Sequence, residues 1–407
     1  MSAAPGGAAP LSWSNWSGSV VCRPSRIERP RDEEELAAGV RRAAGAGLAV
    51  RAFGSGHSFS PVAATDGVLM SLDALAGVES HDASRGEAWI RAGSKLHDLG
   101  EPLLALGLAM ENLGDVDVQS LGGALGTGTH GTGRTLRNLS ANVTALRLVD
   151  ASGEVRTFDG EGDGDLLRAA RVSLGMLGVI SAARLRLVPA YRLHERVRRI
   201  AMEACLEELD AGIVSHRHYE FFWYPRKDLA EVKTLDPTEA PEASVAGREG
   251  ERIGWSARIL PSLRELKFFE MEYAVPAESG RACFLAVRER IRARHPGVAW
   301  PVEYRTLAGD DAFLSTASES DRVTLSIHQD GTLPYRDFFA DVEPILREFG
   351  GRPHWGKLHT AGPAELWPRY PRMDAFLAAR ARLDPEGRFL NHHLRKLFGL
   401  GGPAEPL

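Results

Sequence analysis

The stretch GGALGTGTHGTG at 122–133 is half glycine, and this limits what the chain can build there. Glycine loses more backbone freedom on folding than any other residue, so no long regular element is predicted over 111–133. A second glycine pair, Gly54 and Gly56, is followed directly by a histidine in RAFGSGHSFSP (51–61), just after LAVRAF (48–53), which reads as a short buried strand. Glycine exposes backbone amides and lets an anion such as a pyrophosphate approach closely. Neither stretch is a GxGxxG turn opening a helix in a βαβ unit, and no GK[ST] loop is present. Two such loops in one domain can clasp a dinucleotide from both sides; taken singly, each could be a tight turn. His57 could bond the anion or lie beside a cofactor ring, and His130 has the same two readings.

Around these loops, strands and helices interleave. EEELAAGVRRAAGAG reads as a helix with Asp32 and Glu35 as its capping box and Gly45 or Gly47 as its stop. GVLMSL and EAWIRAG are strands, a helix starts at Ser94 and ends near Gly107, and VTALRLV with EVRTFD forms a hairpin. A helix and a strand from about Val179 to Val188 follow, and Pro189 closes the region. Beyond it, EFFWYP, FEMEYAVP, WPVEYRTL and VTLSIHQD are strands, with amphipathic helices over 280–295 and 335–350. This mixture predicts an α+β protein whose second region is one sheet covered by helices on one face. Residues 226–262, rich in charge, Pro and Gly, read as a long mobile insertion.

Side chains alternate across a strand, so Glu303 and Arg305 share one face, with Val302, Tyr304 and Thr306 on the other. Glu270 with Glu272, and Ser326 with His328 and Asp330, repeat the pattern. Buried charge without a partner is costly, so three polar rows together point to a shared cleft, whereas any one alone could be a solvated face. RPHWGKLHT (352–360) adds His354, Trp355, Lys357 and His359, a set able to line a sugar site or to place an ammonium near developing negative charge. The histidine spacing matches no metal motif, and no metal is expected.

Lys and Arg are scattered among Asp and Glu at a net charge of -5, which excludes a nucleic-acid footprint. The three cysteines, Cys22, Cys205 and Cys283, form no CxxC pair. The start lacks the features of a secretory signal and no apolar run is long enough to span a bilayer, so a soluble cytoplasmic protein is expected.

GSGHSFSP, ENLGDVDVQSLGGALGTGTHGTG, MEYAVP, VEYR and HWGKLH, in this order and spacing, resemble the aldonolactone oxidoreductases of the vanillyl-alcohol-oxidase flavoprotein superfamily. The resemblance covers nearly the whole chain, and the actinobacterial L-gulono-1,4-lactone oxidases and dehydrogenases are similar to it. It implies a two-domain fold: an FAD-binding domain (1–189), a substrate-binding cap with an antiparallel sheet (190–355), and a C-terminal segment (356–407) returning to the FAD domain. It implies FAD bound by Gly54, Ser55, Gly56 and Ser58, and by Ser120, Gly122, Gly123, Gly126, Thr127, Gly128, Thr129, His130 and Gly131. Gly178, Val179 and Ile180 would lie near the adenosine, and His354 and Lys357 near the flavin. His57 matches the histidine that, in members carrying it, is joined covalently to the flavin 8α-methyl carbon.

By the same resemblance, Glu303 and Arg305 position the substrate hydroxyls, while Lys357 and Ser120 lie near flavin and substrate. His328 is carried over as a catalytic candidate, although ungapped alignment to the related alditol oxidases sets Ser326 against their histidine and His328 against their threonine. The implied reaction is oxidation of an aldono-1,4-lactone at its C2 hydroxyl by hydride transfer to flavin N5. It gives an ascorbate-type product, with O2 or another electron acceptor completing the cycle. Alternatives are an alditol oxidase acting on xylitol or sorbitol, and a redox-silent sugar- or nucleotide-binding protein.

Overall fold

The computed structural model describes residues 11–244, 250–262 and 266–401. In its first region a three-stranded parallel sheet runs in the order Arg26–Glu28, Val68–Ser71, Val50–Phe53. The helix Glu33–Gly45 lies between two of these strands in sequence. Asp32 caps it, accepting the Glu35 N–H at 2.8 Å, and three glutamates in the first turn favour the positive end of the helix dipole. The predicted box is half formed, because the Glu35 carboxylate accepts from the Arg31 N–H at 2.9 Å rather than from Asp32. A five-stranded antiparallel sheet (Val155–Asp159, Val143–Val149, Val179–Arg186, Glu87–Arg91, Val78–Asp82) completes the region and contains the predicted hairpin. Within the glycine-rich stretch, the helix Leu121–Thr127 lasts seven residues, in keeping with its composition.

The second region is a nine-stranded sheet in which every described pairing is antiparallel. Its centre runs Arg192–Ala201, Leu229–Thr238, His218–Tyr224, Val302–Leu307, Arg322–Asp330, Phe268–Pro276. The helices Met202–Ser215, Gly280–Arg294 and Arg336–Glu348 contribute to a core with Phe221, Trp223, Met271, Tyr273, Val302, Tyr304, Leu325 and Ile327. The same alternation sends the intervening polar residues to the opposite face. A separate core unites the first region with Trp355, Leu366, Phe376, Phe389, Leu394 and Phe398 near the C-terminus.

The predicted mobile insertion is corrected. Leu229–Thr238, Ala243–Ser244 and Glu251–Trp255 are strands of the large sheet, and Ser256–Ile259 is a helical turn; 245–249 lie outside the described residues. The charges that suggested solvated chain find distant partners: Glu231 meets Arg199, Lys233 meets Glu220, and Asp236 meets His216.

Candidate functional site

The strand Val50–Phe53 delivers the 54–58 loop against the start of the helix Leu121–Thr127. At Gly54 a Cβ would fall 1.7 Å from Ser120 Oγ and 2.5 Å from Ser120 Cβ, so any larger residue must displace that side chain. Gly56 has φ +67°, which glycine adopts without strain. A cavity of about 130 Å³ lies along this cradle. It is lined by the 54–58 loop, Ser120, Gly122, Gly123, Gly126 and Thr127, with Gly178, Val179 and Ile180. Arg51 forms part of the lining, its guanidinium donating to the carbonyls of Val62 (2.8 Å), Leu174 (2.5 Å) and Phe389 (2.6 Å). Burial lowers its pKa to about 10, so it stays charged at neutral pH. This concave, glycine-walled cradle with a fixed cation fits the pyrophosphate-bearing part of a dinucleotide.

His57 stacks on Trp16, with ring centroids 5.1 Å apart. Its pKa falls to about 4, first through burial and then through the charges of Lys357 and Lys95, so the ring is neutral at pH 7. The loop continues onto the HWGK segment: the Phe59 N–H donates to the Gly356 carbonyl (2.7 Å) and Ser60 Oγ to that of Trp355 (2.6 Å). These bonds bring His57, His354 and Lys357 to one wider cavity of about 580 Å³.

Glu270, His354 and Lys357 also line a third cavity, of about 370 Å³, against the polar face of the large sheet. Register decides its chemistry, since Glu272 lies opposite Ser326, and Ser326 opposite Glu303. Glu272 accepts from His130 Nε2 (2.7 Å), Arg305 Nη2 (2.8 Å) and Ser326 Oγ (2.9 Å). Burial opposes its charge, but His130 and Arg305 outweigh that and hold its pKa well below the usual carboxylate range. Glu270 pairs with Lys357, and His328 Nε2 lies 3.7 Å from it. Burial again opposes charge on Glu270, and Lys357 with His328 overcomes it.

Glu303 behaves differently. Its Oε1 lies 3.3 Å from Arg305 Nε, yet neither atom has a hydrogen bond. Burial raises its pKa to about 8; Arg305 pulls the other way, while Asp115, Glu220 and Glu270 add to the rise. Burial pushes the His354 pKa down to about 3, leaving a neutral ring.

The predicted rows Glu303/Arg305 and Glu270/Glu272 thus meet in one cavity wall with Thr129, His130 and, from the third row, His328; Ser326 does not line it but bonds Glu272, and Asp330 lies outside it, bound to Thr332. Gly128 and Gly131 line none of these three cavities. Gly128 caps its helix in a left-handed conformation, and Gly131 lets the Leu113 carbonyl and the Asn112 side chain approach. Two triads, His130/Glu272/His354 and Glu270/Glu303/His328, bring metal-type donors within 4.8 Å of one another, but Arg305 and Lys357 already engage their carboxylates. Sequence reasoning overlooked Trp16, Arg51, Asp115 and Gln119. Gln119 lines all three cavities and its buried Oε1 has no hydrogen-bond partner; its place directly before Ser120 was the available signal.

Comparison with known proteins agrees with this geometry. A family model described as D-arabinono-1,4-lactone oxidase matches residues 183–252 and 244–397, and one described as FAD binding domain matches 24–159. L-gulono-1,4-lactone dehydrogenase of Mycobacterium tuberculosis (strain ATCC 25618 / H37Rv) is 40% identical, covering 95% of this chain and 99% of the relative. L-gulonolactone oxidase of Bos taurus is 30% identical, and alditol oxidase of a Streptomyces species 32%; each comparison covers 95% of this chain and 98% of the relative. The solved cholesterol oxidase from B. sterolicum superposes with a TM-score of 0.83 at 16% identity, over 96% of this chain and 97% of that one, which shows a shared fold. With an FAD-binding domain, a polar cavity against the large sheet and these relatives, the chain belongs to the FAD-dependent aldonolactone oxidoreductases of the vanillyl-alcohol-oxidase type.

Proposed function

We propose that the protein oxidises an aldono-1,4-lactone, L-gulono- or L-galactono-1,4-lactone, at its C2 hydroxyl, with FAD attached through His57. The observation that carries this reading is that the Glu303–Arg305–Glu272 cluster and the Glu270–Lys357 pair share a run of adjoining cavities with His57. In this reading 1–189 and 356–407 hold the cofactor and 190–355 form the cap. When bound, FAD supplies the acceptor for the hydride that leaves C2.

Arg305, steered by Glu272 and Glu303, aims fixed positive charge at the oxygen that becomes negative as C2 is oxidised, and Lys357 adds a second cation. The Glu303 carboxylate, which lines the cavity, meets the lactone hydroxyls and takes the C2–OH proton. Its raised pKa makes it a stronger base than an ordinary glutamate once ionised. The neutral His57 ring keeps a nitrogen lone pair for bonding to the flavin. The product is a 2-keto-lactone that tautomerises to an ascorbate-type enediol, and O2 or a separate acceptor takes the electrons, in the cytoplasm.

The alditol oxidase relative supports a second reading in which the same cluster binds a polyol. Anaerobic reduction of the purified flavoprotein by L-gulono-1,4-lactone, L-galactono-1,4-lactone and xylitol in turn separates the two. Bleaching by a lactone is expected; bleaching by xylitol alone overturns the lactone assignment. Admitting air then distinguishes an oxidase, which recovers its colour quickly, from a dehydrogenase.

A further inference from the structure

Behind the cavity wall lies a buried charge cluster that the proposed reaction does not use. Lys233 is only 7% exposed. Its strand sets it directly opposite Glu220, whose Oε1 is 3.0 Å from the ammonium, and Asp115 Oδ1 lies at 3.4 Å from the other side. Glu220 and Lys233 line none of the three cavities, whereas Asp115 lines the one against Glu303. The ammonium therefore joins the interior of the cap sheet to a loop of the other region. That loop touches the cap repeatedly: Glu111 O accepts from Tyr191 and Arg217, His218 Nε2 lies 3.2 Å from Asn112 Oδ1, and the Ser262 N–H donates to Asp115 O. Its far end accepts the His97 N–H at Asp117 O.

We infer that Lys233 is a positioning residue: it clamps the 111–118 segment as a wall of the substrate cavity and carries the counter-charge behind Glu303. The inference rests on the lactone reading for its kinetic consequence but not for the clamp itself. The charged groups around the ammonium are Asp115 from the loop, Glu220 from the neighbouring strand, and Glu195, itself bound bidentately by Arg252. Glu303 feels Arg305, Asp115, Glu220 and Glu270. Removing the ammonium takes from Glu220 and Asp115 the cation they share, and loss of one partner from a buried charge pair is strongly destabilising. The loop that carries Asp115 can relieve this by swinging toward water; Glu220 cannot, because it sits inside the sheet.

The test uses FAD-loaded wild-type protein, Lys233→Met, Lys233→Arg and Glu220→Gln. Hydrogen exchange by mass spectrometry reads the amides of Leu113, His97 and Ser262, whose acceptors lie in the segment. In Lys233→Met these should exchange about tenfold faster or more, with the Gly280–Arg294 helix unchanged, and Lys233→Arg should restore protection. For the lactone reaction, Lys233→Met should raise KM more than it lowers kcat and move the limb of kcat/KM belonging to Glu303 to higher pH, while Glu220→Gln moves it lower. Unchanged exchange at the three amides, or an equal rise across the whole cap, overturns the clamp. An unmoved pH limb in both Lys233→Met and Glu220→Gln overturns the counter-charge. If no lactone bleaches the wild type, the functional reading fails while the exchange data still decide the clamp. Should Lys233→Met fail to yield holoprotein, Lys233→Arg and Glu220→Gln decide the matter, since a clamp requires the first to keep protection.

Discussion

Trp16 lies nearly parallel to the His57 imidazole, 22° between planes and 5.1 Å between centroids, while the Trp16 N–H donates to the Gly56 carbonyl at 2.8 Å. One residue thus fixes both the loop backbone and the ring orientation. If His57 carries the flavin, acid-precipitated protein stays yellow and His57→Ala releases its FAD into the supernatant. Trp16→Ala should retain His57 yet show incomplete attachment, read as the fraction of flavin released by acid. Complete release from the wild type would falsify the tether.

Gly54→Ala should cost about 1–3 kcal/mol of stability and reduce FAD content, because the added methyl meets Ser120 Oγ at 1.7 Å. Thermal melting and flavin absorbance of Gly54→Ala alone and with Ser120→Gly check this. The second change removes the obstructing hydroxyl, so the double variant should recover much of the loss.

Arg305 is the shared partner of Glu272 and Glu303, and both carboxylates are buried. Arg305→Ala should lower kcat by about two to three orders of magnitude. It should also destabilise the fold by about 3–5 kcal/mol. Arg305→Lys should recover stability better than rate, since an ammonium lacks the planar fork that reaches two carboxylates at once. Steady-state kinetics beside urea unfolding separate the two effects.

Glu303 is the pH-sensitive member. Its folded pKa of about 8 stands above its ordinary value of 4.5, so its contribution to stability is fully present below pH 4.5 and lost as pH rises through about 8. Glu303→Gln should therefore gain stability relative to wild type between pH 5 and pH 9, measured as the difference in Tm. As the base for the C2–OH proton, Glu303 also requires the wild-type kcat/KM to climb toward about pH 8, a limb that Glu303→Gln abolishes along with most activity. A Tm difference that is flat with pH would show that the carboxyl ionises normally in the fold.

Much of this site was legible in local pattern. Period-two alternation put Glu303 with Arg305 and Glu270 with Glu272 on common faces, and glycine placement marked both cradle loops. Resemblance then singled out His57, whose glycine setting alone left it ambiguous. The 229–255 strands were missed because Glu231, Lys233 and Asp236 resemble solvated charge until their partners at 199, 220 and 216 are known. Arg51 was missed for the same reason: its carbonyl acceptors lie as far away as Phe389.

The sequence by itself determined which residues alternate, where the backbone must be glycine, and that the chain is α+β. Only the tertiary structure decided which carboxylate keeps its charge. Glu272 and Glu303 both lie level with Ser326, on the strands either side of it, yet His130 and Arg305 hold one well below the ordinary range while burial among other carboxylates lifts the other to about 8. A carboxylate's proton affinity depends on desolvation and on charges brought near it through strand register and loop packing, and neither is encoded in the residues beside it in the chain.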